Sequence, residues 1–332
     1  MVKNALIIGI NYKNTIDELY GCVNDAINIR NFLTSKLEYT NFIFLTDDTR
    51  VKPTRINILK AIDIFVRSLK PGDHGWFHFS GHGILQRDFN NDEVSGHDSC
   101  IVPIDYNESG VITDDIIRKN LVEKIPIGVK LYIVLDACHS GTGADHRYKY
   151  NDLSFFTDET AKTLPTIYDR LEWTLRQTIT EFKKYKKTSG EVYCISGCED
   201  PQFSADAFIE RDQLFGGALT STLLLLLNSN DLKSYKWKHL LKDLSCSLKV
   251  DGYDQQPTIT SGKPINMENS IFEEIQPKFK VNKETKYSTH HLFNNNSNNK
   301  NSNNKNNKQI RIKTNHTNRM NINYGNSFLF KI

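Results

Sequence analysis

Short apolar runs rich in branched and aromatic residues recur through most of the chain, and between them apolar residues fall at helical spacing. Ala5 to Ile10, Phe42 to Leu45, Gly75 to Phe79, Leu131 to Leu135 and Val192 to Ile195 read as strands. Val23, Ile27, Leu33 and Leu37 mark a helix after the first strand. After the second, Pro53 and Thr54 open a helix whose apolar face is Ile58, Leu59, Ile62, Phe65, Val66 and Leu69. Further helical patterns cover Tyr168 to Lys187, Ala218 to Leu227 and Trp237 to Leu248. Continuous apolar strands are buried on both faces, and helices between them act as crossovers. The pattern therefore predicts one large α/β domain with a mostly parallel central sheet flanked by helices.

That domain is expected to end near residue 276. From Pro277 onward 11 basic residues face one acid, Glu284, a balance of +10, whereas residues 1–276 carry −7, so the overall +3 describes neither part. Asn294 to Lys308 consists of ten Asn, two Ser and three Lys. Such a tract buries too little apolar surface to offset chain entropy and is expected to be disordered, with no specific nucleic-acid partner. The acidic body favours cations as partners, metal ions or basic peptides. The longest apolar run, Leu223 to Leu227, falls far short of the roughly 20 residues of a membrane span. Val2 to Ile10 also lacks a small-residue cleavage site. A cytoplasmic protein with reduced thiols at Cys22, Cys100, Cys138, Cys194, Cys198 and Cys246 is the expectation.

In open α/β sheets functional residues gather at the carboxyl ends of strands. Two predicted strands end suggestively: Trp76 to Phe79 runs into Ser80-Gly81-His82-Gly83, and Leu131 to Leu135 runs into Asp136-Ala137-Cys138-His139-Ser140-Gly141. If these strands are neighbours, His82 and Cys138 leave the same edge as the base and nucleophile of a cysteine hydrolase. A thiol of pKa about 8.5 is mostly protonated at neutral pH and needs such an imidazole. The glycines leave the Gly83 and Cys138 amides available as oxyanion donors, each worth about 3–4 kcal/mol of barrier when well aimed. Each motif alone is weak; their placement after two strands is what carries the reading. His74, His78 and His97 are expected to be structural, and Cys194 and Cys198 to be packing residues.

Phe79-Ser80-Gly81-His82-Gly83 and Asp136-Ala137-Cys138-His139-Ser140-Gly141 resemble the histidine and cysteine signatures of metacaspases, caspase-like cysteine peptidases. The resemblance continues in Gly9-Ile10-Asn11-Tyr12, Gly21 to Ala26, Leu45 to Asp48, Ile101 to Tyr106, Ile195 to Gln202, Ser204 to Asp206, Gly216-Gly217-Ala218 and Gln256-Pro257, covering roughly residues 3–270 in order. It implies a caspase-like three-layer sandwich over residues 1–276, with a large-subunit-like part (1–145), a linker (146–190) and a small-subunit-like part (191–276), followed by the tail 277–332. The chain looks like a compact type I-like member, without a Pro/Gln-rich prodomain and with too few residues between Gly141 and Glu191 for the long insertion of type II members. Monomeric action is implied by the same resemblance.

Two carboxylates at one pocket repel unless a cation joins them, and Arg or Lys of a substrate supplies one. By resemblance Cys22, Asp25, Ser80 and Asp136 line that pocket, so cleavage after Arg or Lys is expected; for Asp25 a plain first-turn helix acid is the alternative. On sequence alone Asp114-Asp115 after Thr113 read as a helix start. The resemblance implies instead that Asp98, Asp114, Asp115 and Asp145 bind an activating calcium ion, a hard cation taking six to eight oxygens. Limited self-cleavage is expected among Arg170, Arg176, Lys183, Lys184, Lys186 and Lys187. A catalytically silent caspase-fold scaffold is the rival reading. A nucleotide-binding domain is disfavoured, since no glycine-rich phosphate motif follows a strand.

Overall fold

The computed structural model describes residues 1–88, 96–138, 144–152, 177–182, 184–185, 187–197, 206–209, 214–253 and 255–273. The tail, the 153–176 stretch and Cys198 lie outside the described residues. An eight-stranded sheet organises the rest, in the order β2-β1-β3-β7-β10-β13-β8-β9. Its first part is parallel: β2 (Asn41–Thr46), β1 (Lys3–Gly9), β3 (His74–Ser80), β7 (Lys130–Asp136) and β10 (Glu191–Ser196). The far edge is antiparallel, through β13 (Thr258–Ser261), β8 (Tyr148–Asp152) and β9 (Gln177–Glu181). A small sheet pairs β4 (Gly83–Arg87), β5 (His97–Ile101) and β6 (Ile112–Thr113), and β11 (Asp206–Ile209) forms a hairpin with β12 (Leu214–Gly217).

The helices are α1 (Cys22–Leu37), α2 (Arg55–Ser68), the single turn α3 (Tyr106–Ser109), α4 (Asp114–Asn120), α5 (Ala218–Ser229) and α6 (Trp237–Val250). Because strand side chains alternate faces, Leu6, Ile8, Phe77, Phe79, Ile133 and Leu135 pack in one cluster with Ile58, Ile62 and Phe65 of α2. Ala5, Ile7, Trp76, Tyr132 and Val134 pack in the other with Ile29 and Leu33 of α1, Leu223 of α5 and Leu244 of α6. Two cores on opposite faces are what the continuous apolar strands demand. Thr54 caps α2 through its hydroxyl, as the sequence implied. No helix among the described residues is long and apolar enough to cross a membrane.

One sequence expectation is overturned. Within the helix expected over Tyr168 to Lys187, Gln177–Glu181 is instead a strand paired residue by residue with Tyr148–Asp152, and residues 168–176 lie outside the described residues. Thr178, Ile179 and Thr180 are β-branched, and a neighbouring strand satisfies their backbone groups where a helix would crowd them. Residues expected to link two parts of the domain thus extend its main sheet.

Candidate active site

Pairing of β3 with β7 runs to Ser80 opposite Asp136, where both strands end. The Gly81 amide adds one more bond, to the Asp136 carbonyl at 3.3 Å. At Gly83 any Cβ would overlap the Cys138 carbonyl oxygen, so only glycine allows this approach. His82 sits between those two contacts, alongside Ala137 and Cys138, and both His82 and Cys138 are half-buried. The condition left open by the sequence, that the two strands be neighbours, is met, and the two motifs lie together at one sheet edge.

The imidazole is oriented by a group that the sequence reading missed. His82 Nε2 lies 2.7 Å from the backbone carbonyl oxygen of Asp17. A carbonyl only accepts, so Nε2 carries the proton and Nδ1 is the basic atom of the ring. No side-chain pattern announces a backbone carbonyl; only the fold of the loop from Asn11 to Tyr20 supplies it.

Of the four residues expected to line a substrate pocket, Asp25, Ser80 and Asp136 converge around Gly217. Asp25, Ser80, Asp136 and Cys22 are all buried. Cys22 opens α1 and Asp25 follows one turn later on the same face. Asp25 Oδ2 accepts from Ser80 Oγ at 2.6 Å, and its two oxygens accept from the Gly217 amide at 3.0 and 3.1 Å. Asp136 Oδ2 accepts from the Thr220 amide in the first turn of α5 at 2.7 Å. A Cβ on Gly217 would lie 2.6 Å from Asp136 Cγ and 2.9 Å from Asp25 Oδ2, so both carboxylates face this one glycine. Gly217 and Thr220, which sequence reasoning left unassigned, are the residues whose amides hold the two carboxylates. The Gly216-Gly217-Ala218 stretch was the available signal.

Of the four aspartates expected to hold calcium, Asp98 and Asp114 come together at the β5–β6 corner. Burial and then the charges of Asp114 and Asp98 push the Cys100 thiol up to about 12. Asp114 accepts from the Ser99 amide at 2.8 Å and the Asp115 amide at 3.0 Å. Thr113 caps α4, with Asp114 and Asp115 in its first turn, so the helix-start reading of this pair holds. Asp145 accepts from Tyr185 Oη at 2.8 Å, and its carbonyl accepts from Arg118. Among the described residues no group of three or more His, Cys, Asp or Glu side chains gathers into a metal-holding cluster. The donor chemistry, four carboxylates, suits a hard cation.

Cys194, His74 and His78 are buried away from this edge of the sheet. Burial holds the Cys194 thiol near 12. Burial, with the cations of Lys130 and Lys3 beside it, lowers His74 to about 4. Burial alone lowers His78 to about 3.

Comparison with known proteins follows the same lines. A family model described as "Metacaspase, peptidase C14 domain" matches residues 3–147. "Metacaspase-2" of Arabidopsis thaliana is 41% identical over 230 residues, 67% of this chain and 50% of that protein. "Metacaspase-1" of Meyerozyma guilliermondii is 31% identical over 294 residues, 80% of this chain and 70% of that protein. The chain thus spans half the length of the Arabidopsis relative and 70% of the Meyerozyma one. A crystal structure of a Geobacter sulfurreducens protein shares the fold, with a TM-score of 0.56 at 22% identity, covering 83% of this chain and 100% of that one.

Proposed function

This chain belongs to the metacaspase family, and from that premise we propose that it is a cysteine endopeptidase that cleaves peptide bonds after Arg or Lys. The observation carrying the proposal is the Ser80–Asp136 register, which sets His82 beside Cys138 with Nε2 held by the Asp17 carbonyl. His82 Nδ1 takes the Cys138 proton, and the thiolate attacks the scissile carbonyl carbon. The resulting oxyanion faces the Gly83 and Cys138 amides. Opposite Gly83 the β4–β5 register gives Ile101, while the bonded pair is the next one, His82 with Val102. The Gly83 amide is therefore outside that ladder and available for the oxyanion. His82 returns the proton to the leaving amine, and water, activated by the same Nδ1, hydrolyses the thioester.

Asp25 and Asp136 supply the pocket's negative charge, which a guanidinium or ammonium group neutralises. The proposal includes calcium held by Asp98, Asp114, Asp115 and Asp145, where it would offset the repulsion among these acids. Calorimetric titration of the Cys138→Ala protein with calcium should show binding that Asp114→Asn removes. Action as a monomer in the cytoplasm completes the reading, to be checked by sedimentation and cell fractionation. So does limited processing at the basic residues of 170–187, where Lys184 and Lys187 are exposed and Arg170, Arg176, Lys183 and Lys186 lie outside the described residues; N-terminal sequencing after calcium addition checks it.

The test is release of a fluorophore from peptides ending in Arg, Lys or Asp, with calcium and with chelator. Cleavage after Arg and Lys that disappears in Cys138→Ala is expected. Cleavage after Asp would remove the pocket assignment, and silence towards all three would favour a scaffold.

A further inference from the structure

We infer that Tyr12 is a positioning residue, its hydroxyl wedged between β4 and β5 so as to fix His82 against Cys138. The inference rests on the dyad reading above. The β4–β5 register, Gly83 opposite Ile101, brings His82 opposite Val102. Residues so paired in an antiparallel ladder exchange two bonds. The Val102 amide does donate to the His82 carbonyl at 3.1 Å. The return bond is made through Tyr12: the His82 amide donates to Tyr12 Oη at 3.0 Å, and Tyr12 Oη donates to the Val102 carbonyl at 2.7 Å. One oxygen atom is interposed where the ladder would otherwise close.

The rest of Tyr12 reinforces that role. Its ring lies against the imidazole, with centroids 4.7 Å apart and planes tilted by 40°. Its backbone has φ of +52°, a left-handed conformation that a bulky residue adopts only when held there. The holding group is Asp47, whose carboxylate accepts from the amides on both sides, Asn11 at 2.6 Å and Lys13 at 3.2 Å. Thr15 adds two bonds to the Tyr12 carbonyl, from its amide at 3.2 Å and its hydroxyl at 2.7 Å. The same loop presents the Asp17 carbonyl to Nε2. Backbone and ring of the histidine are thus fixed by one loop. A phenylalanine would fill the same buried volume, so the hydroxyl is what the site uses. Without it the His82 amide and Val102 carbonyl either stay unpaired or draw together by the width of an oxygen, and either change displaces His82.

The experiment compares wild type, Tyr12→Phe and His82→Ala by the pH dependence of iodoacetamide alkylation at Cys138, read by mass spectrometry, together with kcat and KM on an Arg peptide. Alkylation reports thiolate formation without needing any substrate. Tyr12→Phe is expected to move the profile toward that of His82→Ala and to lower kcat on the order of 10²-fold with KM changed by less than about twofold. A simple loss of packing would lower the melting temperature but leave the profile of the folded protein in place. If Tyr12→Phe does not fold, Gly81→Ala probes the same contact, since a Cβ there would stand 2.9 Å from Tyr12 Oη. It should shift the profile in the same direction. A profile and kcat matching wild type in the folded variant would overturn the inference. Coincidence of the wild-type and His82→Ala profiles would instead overturn the dyad, and this inference with it.

Discussion

Replacing Gly217 by alanine tests the pocket through a single carbon atom. The added Cβ would stand 2.6 Å from Asp136 Cγ, against the roughly 3.5–4.0 Å of an unstrained carbon–carbon contact. β12 must therefore retreat by about an ångström. The Gly217 amide, now 3.0 and 3.1 Å from the two Asp25 oxygens, then passes beyond hydrogen-bond reach. A bond to a charged group is worth about 1.5–3 kcal/mol, so kcat/KM on an Arg peptide should fall roughly 10- to 150-fold. Most of the loss should appear in KM, because no group touching the reacting atoms has moved. Iodoacetamide modification of Cys138 should keep its wild-type rate, which separates pocket damage from collapse of the dyad. An unchanged kcat/KM would refute the argument that Gly217, Asp25 and Asp136 together form the substrate's cradle.

Gly83→Ala should do the reverse, lowering kcat by at least about 10²-fold with little effect on KM, since its Cβ overlaps the Cys138 carbonyl and would displace the amide proposed as an oxyanion donor. His78 is buried with no partner on either ring nitrogen among the described residues, and burial lowers it to about 3. The folded protein keeps it neutral while the unfolded chain protonates it below about 6.5, so stability is untouched above that pH and falls from there toward pH 3 by about 1.4 kcal/mol per unit. Urea unfolding at pH 7 and pH 5 should show that slope reduced in His78→Leu; an unaltered slope would mean that the imidazole is not held neutral.

What could be read from the sequence divides along physical lines. The parallel strands declare themselves because burial on both faces demands unbroken apolar runs such as Leu131 to Leu135, and the adjacency of the His82 and Cys138 motifs follows because both sit at the ends of neighbouring strands. The antiparallel edge was hidden. Tyr148–Asp152 and Thr258–Ser261 are short and rich in polar residues, and their pairing is decided by a distant partner and not by local pattern. The Asp17 carbonyl and the Tyr12 hydroxyl were invisible for a related reason. A backbone atom has no sequence signature, and a tyrosine used for its oxygen looks like one used for its ring. Gly217 stood in a recognised stretch, yet its meaning depends on two carboxylates far away in the chain, Asp25 and Asp136.

Those two carboxylates also change the argument for a basic substrate. From sequence, their mutual repulsion called for a cation. In the fold, backbone amides at the start of α5 and the Ser80 hydroxyl already solvate them. Neutral donors orient a carboxylate without cancelling its charge, so under the proposed reading the site favours a cation at these two acids. Such preorganisation costs stability and favours binding of a cation. Asp136→Asn separates the two effects. The amide oxygen can still accept from the Thr220 amide, preserving the start of α5, while its NH2 group replaces repulsion of Asp25 by attraction. Thermal unfolding should therefore be unchanged or shifted upward, while kcat/KM on an Arg peptide falls by about 10- to 150-fold, the equivalent of 1.5–3 kcal/mol. If activity and melting temperature fell together, Asp136 would be a helix cap and nothing more, and the acidic pocket would lose its claim to select the substrate.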